Sequence, residues 1–126
     1  MSNKTALGIL LSSLRDNRGL SLRELSLLSQ VDHTYIHRLE VGEKDSPSDE
    51  LLTKLLRGLK ADARISEVAY WLIQHNDTNP QLVTYFFEDQ SVTPEIFVAA
   101  ASMKHRGVAR PDPKTLIERI KIIWED

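Results

Sequence analysis

Apolar residues recur at helical spacing along nearly the whole chain, and no segment alternates convincingly at the period of two that a half-buried strand requires. This patterning predicts an all-α protein. Leu7, Leu10, Leu11 and Leu14 fall at i, i+3, i+4 and i+7, the stripe of a helix over about residues 4–17, with Gly19 placed to stop it in the left-handed region. Ser21-Leu22-Arg23-Glu24 forms a capping box that opens a second helix carrying Leu22, Leu25 and Leu28. A new cap at Asp32 opens a third helix of about 33–41, closed by Gly42. Ser48, followed by the acidic Asp49 and Glu50, caps a fourth helix bearing Leu51, Leu52, Leu55, Leu56 and Leu59. A fifth runs over about 63–75 with Ile65, Val68, Ala69, Leu72 and Ile73 apolar. Asn79-Pro80, Thr93-Pro94 and Asp112-Pro113 each set a capping side chain before a proline, which suits a first helical turn because its missing N–H has no partner there anyway. Three more helices are expected over about 80–88, 94–105 and 113–124.

Composition narrows what such a chain can do. No cysteine is present among the 126 residues, which excludes disulfides, thiolate metal sites and Cys nucleophiles. No apolar run approaches the roughly 20 residues of a membrane span and no signal-peptide core is recognisable, so the cytoplasm is the expected compartment. The net charge of −2 lacks the strongly basic balance of many nucleic-acid binders. Residues 1–60 hold 9 Lys+Arg against 8 Asp+Glu, and residues 61–126 hold 7 against 10, so any nucleic-acid contact belongs to a local face of the first half. No Ser-His-Asp, paired-carboxylate or phosphate-loop pattern occurs; neither an enzyme nor a cofactor is expected. His33 and His37 stand four apart, a spacing that can bring two imidazoles to one metal, but without an HExxH glutamate or a third ligand no metal is expected.

Residues 21–42, SLRELSLLSQVDHTYIHRLEVG, carry the functional signal. Leu25, Val31, Ile36 and Leu39 are spaced to bury two short helices against each other and against the first. With Ile36 and Leu39 inward, His33, Thr34, His37 and Arg38 project together from the opposite side of the third helix. A major groove about 12 Å wide admits one helix, and donors and acceptors on such a face can meet base edges. Leu20-Ser21-Leu22-Arg23-Glu24-Leu25, Tyr35-Ile36-x-x-Leu39-Glu40-x-Gly42 and Pro47-Ser48-x-x-x-Leu52 together resemble the lambda-repressor/XRE type of helix-turn-helix repressor over about residues 5–75. The resemblance implies a five-helix DNA-binding domain with His33, Thr34, His37 and Arg38 on base edges and Ser21, Arg23, Tyr35 and Lys44 on phosphates. It also implies a structural ion bridge between Arg15 and Glu40. Three positions depart from the pattern: Gln30 stands where the turn usually has glycine, Ser26 where a small alanine is usual, and Leu22 where a polar phosphate contact often begins the second helix.

The last fifty residues are richly apolar. The 113–124 helix has a stripe of Leu116, Ile117, Ile120, Ile123 and Trp124, and the 94–105 helix is apolar over most of its circumference. This excess points either to an ordinary core or to a two-fold interface, and the expectation is the interface, with Ile96, Phe97, Leu116, Ile120 and Trp124 as the dimerisation residues. Thr93-Pro94-Glu95 and His105-Arg106-Gly107-x-x-Arg110-Pro111 resemble the C-terminal dimerisation domain of stress-response and mobile-element repressors inactivated by ImmA/IrrE-type zinc metallopeptidases. That resemblance implies a metallopeptidase partner and a cleavage site at His105 and Arg106. The sequence thus reads as a DNA-binding domain over 1–76 and a three-helix dimerisation domain over 77–126. The function expected is a dimeric repressor that binds a palindromic operator in double-stranded DNA. The rival reading is an antitoxin that neutralises a toxin through its C-terminal half and regulates its own operon.

Overall fold

Side-chain caps fix where most of the helices begin. The computed structural model describes residues 4–103 and 113–125, the side chains of Trp124 and Glu125 excepted, and every regular element among them is an α-helix. In chain order these are α1 (Ala6–Asn17), α2 (Leu22–Ser29), α3 (His33–Val41), α4 (Asp49–Gly58), α5 (Ala63–Ile73), α6 (Pro80–Glu88), α7 (Pro94–Ser102) and α8 (Pro113–Glu125). Thr5, Ser21, Ser48, Asp62 and Thr93 each accept the backbone N–H three residues on, and the Ser21–Glu24 box closes in both directions. Asn79 caps α6 by accepting the Gln81 N–H at 3.0 Å, with Pro80 in the first turn. The cap expected at Asp112 lies outside the described residues.

Asp32 corrects one expectation. It occupies the N-cap of α3 but makes no capping bond. Its ψ of 132° falls short of the 158–177° of the caps that reach the third amide. The carboxylate stands instead 3.7 Å from His33 Nδ1 at the surface. At the other ends, α5 tightens at Ile73 into i→i+3 bonds from Gln74 and His75, short of residue 75. Helix α7 ends at Ser102 rather than near 105 because Met103 turns extended, with ψ 129°.

Left-handed residues close several turns. Gly19 and Gly42 do so as expected, but Gln30 (φ 61°) and Lys60 (φ 53°) hold the same conformation with a full side chain. Gln30 ends α2 by donating its N–H to Ser26 O at 2.8 Å. A Cβ in that region costs about 1 kcal/mol, part of which is offset because glycine loses more freedom on folding. Gln30→Gly should therefore raise stability by about 0.5 kcal/mol in urea titration; a lower denaturation midpoint would contradict the strain argument.

Two close approaches hold the helix-turn-helix unit in place. Gly8 of α1 faces α3 so tightly that a Cβ there would lie 2.5 Å from Leu39 O and 2.9 Å from Glu40 O. Gly58 of α4 faces α2, where an added Cβ would be 3.0 Å from Ser29 Cβ.

The buried apolar residues then form one cluster running from Ala6 to Ile120. Helix α6 packs on α1, α7 on α5, and α8 on α6 and α7. Phe86 and Phe97, both wholly buried, meet edge to face at 5.4 Å, and Trp71 of α5 meets Phe97 at 6.1 Å. Arg64 of α5 crosses the same seam. Its guanidinium lies 3.8 Å from the Phe86 ring centroid and donates to the carbonyls of Phe86, Asp89 and Val92. Those groups cluster at the C-terminal end of α6, where a helix leaves its last carbonyls unsatisfied. Burial pushes the Arg64 guanidinium below its ordinary value. Asp89 also receives Lys121 of α8, which with Ser91 brings its carboxyl down to about 2. The boundary expected at 76/77 therefore does not separate two cores. No described helix is long and apolar enough to cross a membrane.

Candidate nucleic-acid interface

The inward residues of α2 and α3 decide what faces out. Leu25, Ile36 and Leu39 are wholly buried, and Val31 in the turn nearly so. Buried Ser29, which sequence patterning did not single out, pins that turn: its hydroxyl donates to Leu25 O at 2.7 Å and accepts the Val31 N–H at 3.3 Å. Leu22, where the family pattern often has a polar residue, packs half-buried against the core.

With Ile36 and Leu39 fixed inward, a pitch of 3.6 residues turns the other side of α3 to solvent. Thr34, His37 and Arg38 are exposed and His33 is half-buried, so the four expected base-reading residues share one outward face. The Arg38 side chain is 52% exposed and its nearest carboxylate is Glu43, 3.9 Å away. That separation lies beyond hydrogen-bond length, so the donor fork remains available. The residue can therefore present two parallel N–H groups to a planar acceptor pair.

The phosphate candidates stand at the margins. Arg23 and Lys44 are exposed, and Tyr35 is half-buried against the core. Ser21 is exposed, but its hydroxyl accepts the Glu24 N–H at 3.0 Å while its own N–H goes to the Glu24 carboxylate at 2.9 Å. The Ser21 backbone N–H, with the Ser21 side chain second, holds the Glu24 carboxyl below its ordinary value. An ionised carboxylate thus sits in the first turn of α2, and Arg23 beside it carries the cationic role there.

Arg15 and Glu40 tie α1 to the back of α3. Arg15 Nε and Nη2 reach the two Glu40 carboxylate oxygens at 2.8 and 2.9 Å, and Nη1 donates to Leu20 O at 2.8 Å. The Glu40 bond is the main reason the Arg15 guanidinium is pushed above its ordinary value. Gly8 and Arg15 are seven residues apart and so share a face of α1. One admits the α3 backbone closely and the other bonds its side chain.

The C-terminal candidates fall differently. Ile96, Phe97, Leu116 and Ile120 are 5%, 0%, 7% and 5% exposed within a single chain, so the apolar area expected at a dimer interface is already spent in the chain's own core. The physical reason is the packing of α8 onto α6 and α7, which covers the stripe from within. The Trp124 side chain and the candidate cleavage residues His105 and Arg106 lie outside the described residues.

A family model described as a helix-turn-helix domain matches residues 6–68, half of the 126-residue chain, and spans α1 to the middle of α5. No curated protein matches the chain.

Proposed function

This chain belongs to the helix-turn-helix domain family, and on that premise we propose that it is a transcriptional regulator that binds duplex DNA sequence-specifically, as a dimeric repressor of a palindromic operator. The observation that carries the reading is the outward face of α3, where His33, Thr34, His37 and Arg38 stand together on a helix anchored by Ile36 and Leu39. Laid in a major groove, Arg38 binds guanine O6 and N7 bidentately, worth about 1–3 kcal/mol against the wrong base. His33, Thr34 and His37 supply further donors and acceptors along the same groove. Arg23 and Lys44 contact phosphates and set register without reading sequence. Repression follows from occupancy: a bound dimer covers promoter DNA that a polymerase needs.

Selection of bound fragments from a random DNA library tests this reading. The expected product is a palindrome whose half-sites are centred about one helical turn apart, bound less tightly as salt rises. Arg38→Ala should relax one base pair in each half-site, whereas Arg23→Ala should weaken operator and random duplex alike. Equal losses on both duplexes for Arg38→Ala would remove its base-reading role, and recovery of no enriched sequence would remove the function.

A further inference from the structure

We propose that Glu43 is a positioning residue for base reading: it steadies the Arg38 guanidinium at its inner corner and so decides which edge meets guanine. The proposal rests on the DNA-reading face described above and adds to it a residue from the loop that follows α3. Gly42 turns left-handed at φ 88°, and the chain folds back on the end of the helix. The Gly42 N–H reaches Leu39 O at 3.3 Å, and the Glu43 and Lys44 N–H groups reach Arg38 O at 2.9 and 3.1 Å. This closure brings the side chains of Arg38 and Glu43 together, where such helix ends frequently join two apolar residues. Here the pair is ionic, with Glu43 Oε2 standing 3.9 Å from Arg38 Nε. At that separation the attraction is coulombic and its direction is set by the backbone.

The atom that is held matters. A guanidinium can meet guanine O6 and N7 end-on, through Nη1 and Nη2, or from the side, through Nε and one Nη. A carboxylate at Nε occupies the side approach and leaves the end-on fork to the base. The two side chains are 52% and 55% exposed, so in the free protein water screens the pair and it adds almost nothing to stability. In a major groove part of that water is displaced and the attraction strengthens. Without Glu43 the same guanidinium is free to swing to a neighbouring phosphate, an anion present on every sequence. The repulsion of the Glu43 charge by phosphates falls on every duplex alike, whereas its hold on Arg38 counts only where a guanine receives the fork.

Selection from a random DNA library, followed by titration of the selected duplexes, tests the assignment with the full chain, Glu43→Gln, Glu43→Ala, Arg38→Ala and the variant carrying both alanines. Glu43 is exposed, and circular dichroism melting should give one transition temperature for Glu43→Gln and the unaltered chain. In both Glu43 variants the preference for guanine at the pair affected by Arg38→Ala should fall about fivefold, with preferences at the other pairs kept. Binding to random duplex should rise about twofold as one anion leaves the surface. With Arg38 already replaced, Glu43→Ala should alter no base preference and still raise random binding. A Glu43→Gln profile identical to the original would overturn the proposal. So would a loss at a different pair, which would make Glu43 a reader in its own right, or an equal loss at every pair, which would make its role purely structural. If the unaltered chain enriches no sequence, the regulatory reading fails and this role with it; an enriched operator with an unmoved Glu43 profile removes the positioning role alone.

Discussion

A chain ending at Asn76 should lose most of its stability, and its thermal transition should fall by on the order of 20 °C or disappear. Truncation there removes α6, α7 and α8, and with them Leu82, Val83, Phe86, Val92, Ile96 and Phe97, all buried in the same cluster as α1 and α5. Each large side chain of this kind contributes about 1.5–3 kcal/mol by burial, against which the truncated chain is spared the entropy of ordering fifty residues. What remains is worse than shortened. The faces of α1 under α6 and of α5 under α7 become wet, and Arg64 loses the three carbonyls and the ring that received it. Circular dichroism melting of the full-length and shortened chains in one buffer measures the effect. A fragment that melts cooperatively within about 5 °C of the full chain would show that the five N-terminal helices are self-sufficient after all.

Arg15→Met should cost about 3 kcal/mol, and adding Glu40→Leu should recover part of that loss. The Glu40 side chain is only 7% exposed, while that of Arg15 is 18% exposed and lies along α1 with its head locked between Glu40 and Leu20 O. Taking away the cation leaves a carboxylate facing protein on most sides without its two charge-assisted bonds. The residual exposure of Arg15 keeps the expected cost at the lower end for a buried pair. Replacing both members removes the orphaned charge, so the double variant should be more stable than Arg15→Met alone. Denaturant unfolding of the two single variants and the double variant gives the cycle, and a double variant less stable than either single one would contradict it.

Local signals in the sequence proved sufficient for local structure. The capping serines, the prolines in first turns and the 3.6-residue stripes place the helices within a few residues, since each depends on groups three or four positions apart. Asp32 shows the limit: its residue type suits an N-cap, but the dihedral that decides whether its side chain reaches the amides is set by the tight turn before it. The outward face of α3 was legible for the same local reason, because the spacing of Ile36 and Leu39 marks its inward side. Arg64 was not, because its acceptors lie 22 to 28 residues away and come together only when α5 meets the end of α6. The apolar stripe of α8 was visible as a stripe, yet periodicity cannot tell whether its cover comes from the same chain or another. Gly8 is comparable: an isolated glycine inside an apolar helix signals a close approach only after α3 is known to lie against it.

Helix α3 is fenced at both ends by carboxylates, Asp32 beside His33 and Glu43 beside Arg38. For a regulator reading DNA through that face, their repulsion is felt on every duplex. A genome offers about 10⁶–10⁹ decoy sites that differ from the target in sequence but share its phosphates. Anions at the reading face repel every decoy equally, and on the operator their cost is offset by base contacts. The same repulsion acts on the operator and cancels in the ratio of specific to non-specific binding, so these anions weaken the hold on all duplex and leave discrimination among sites to the base contacts.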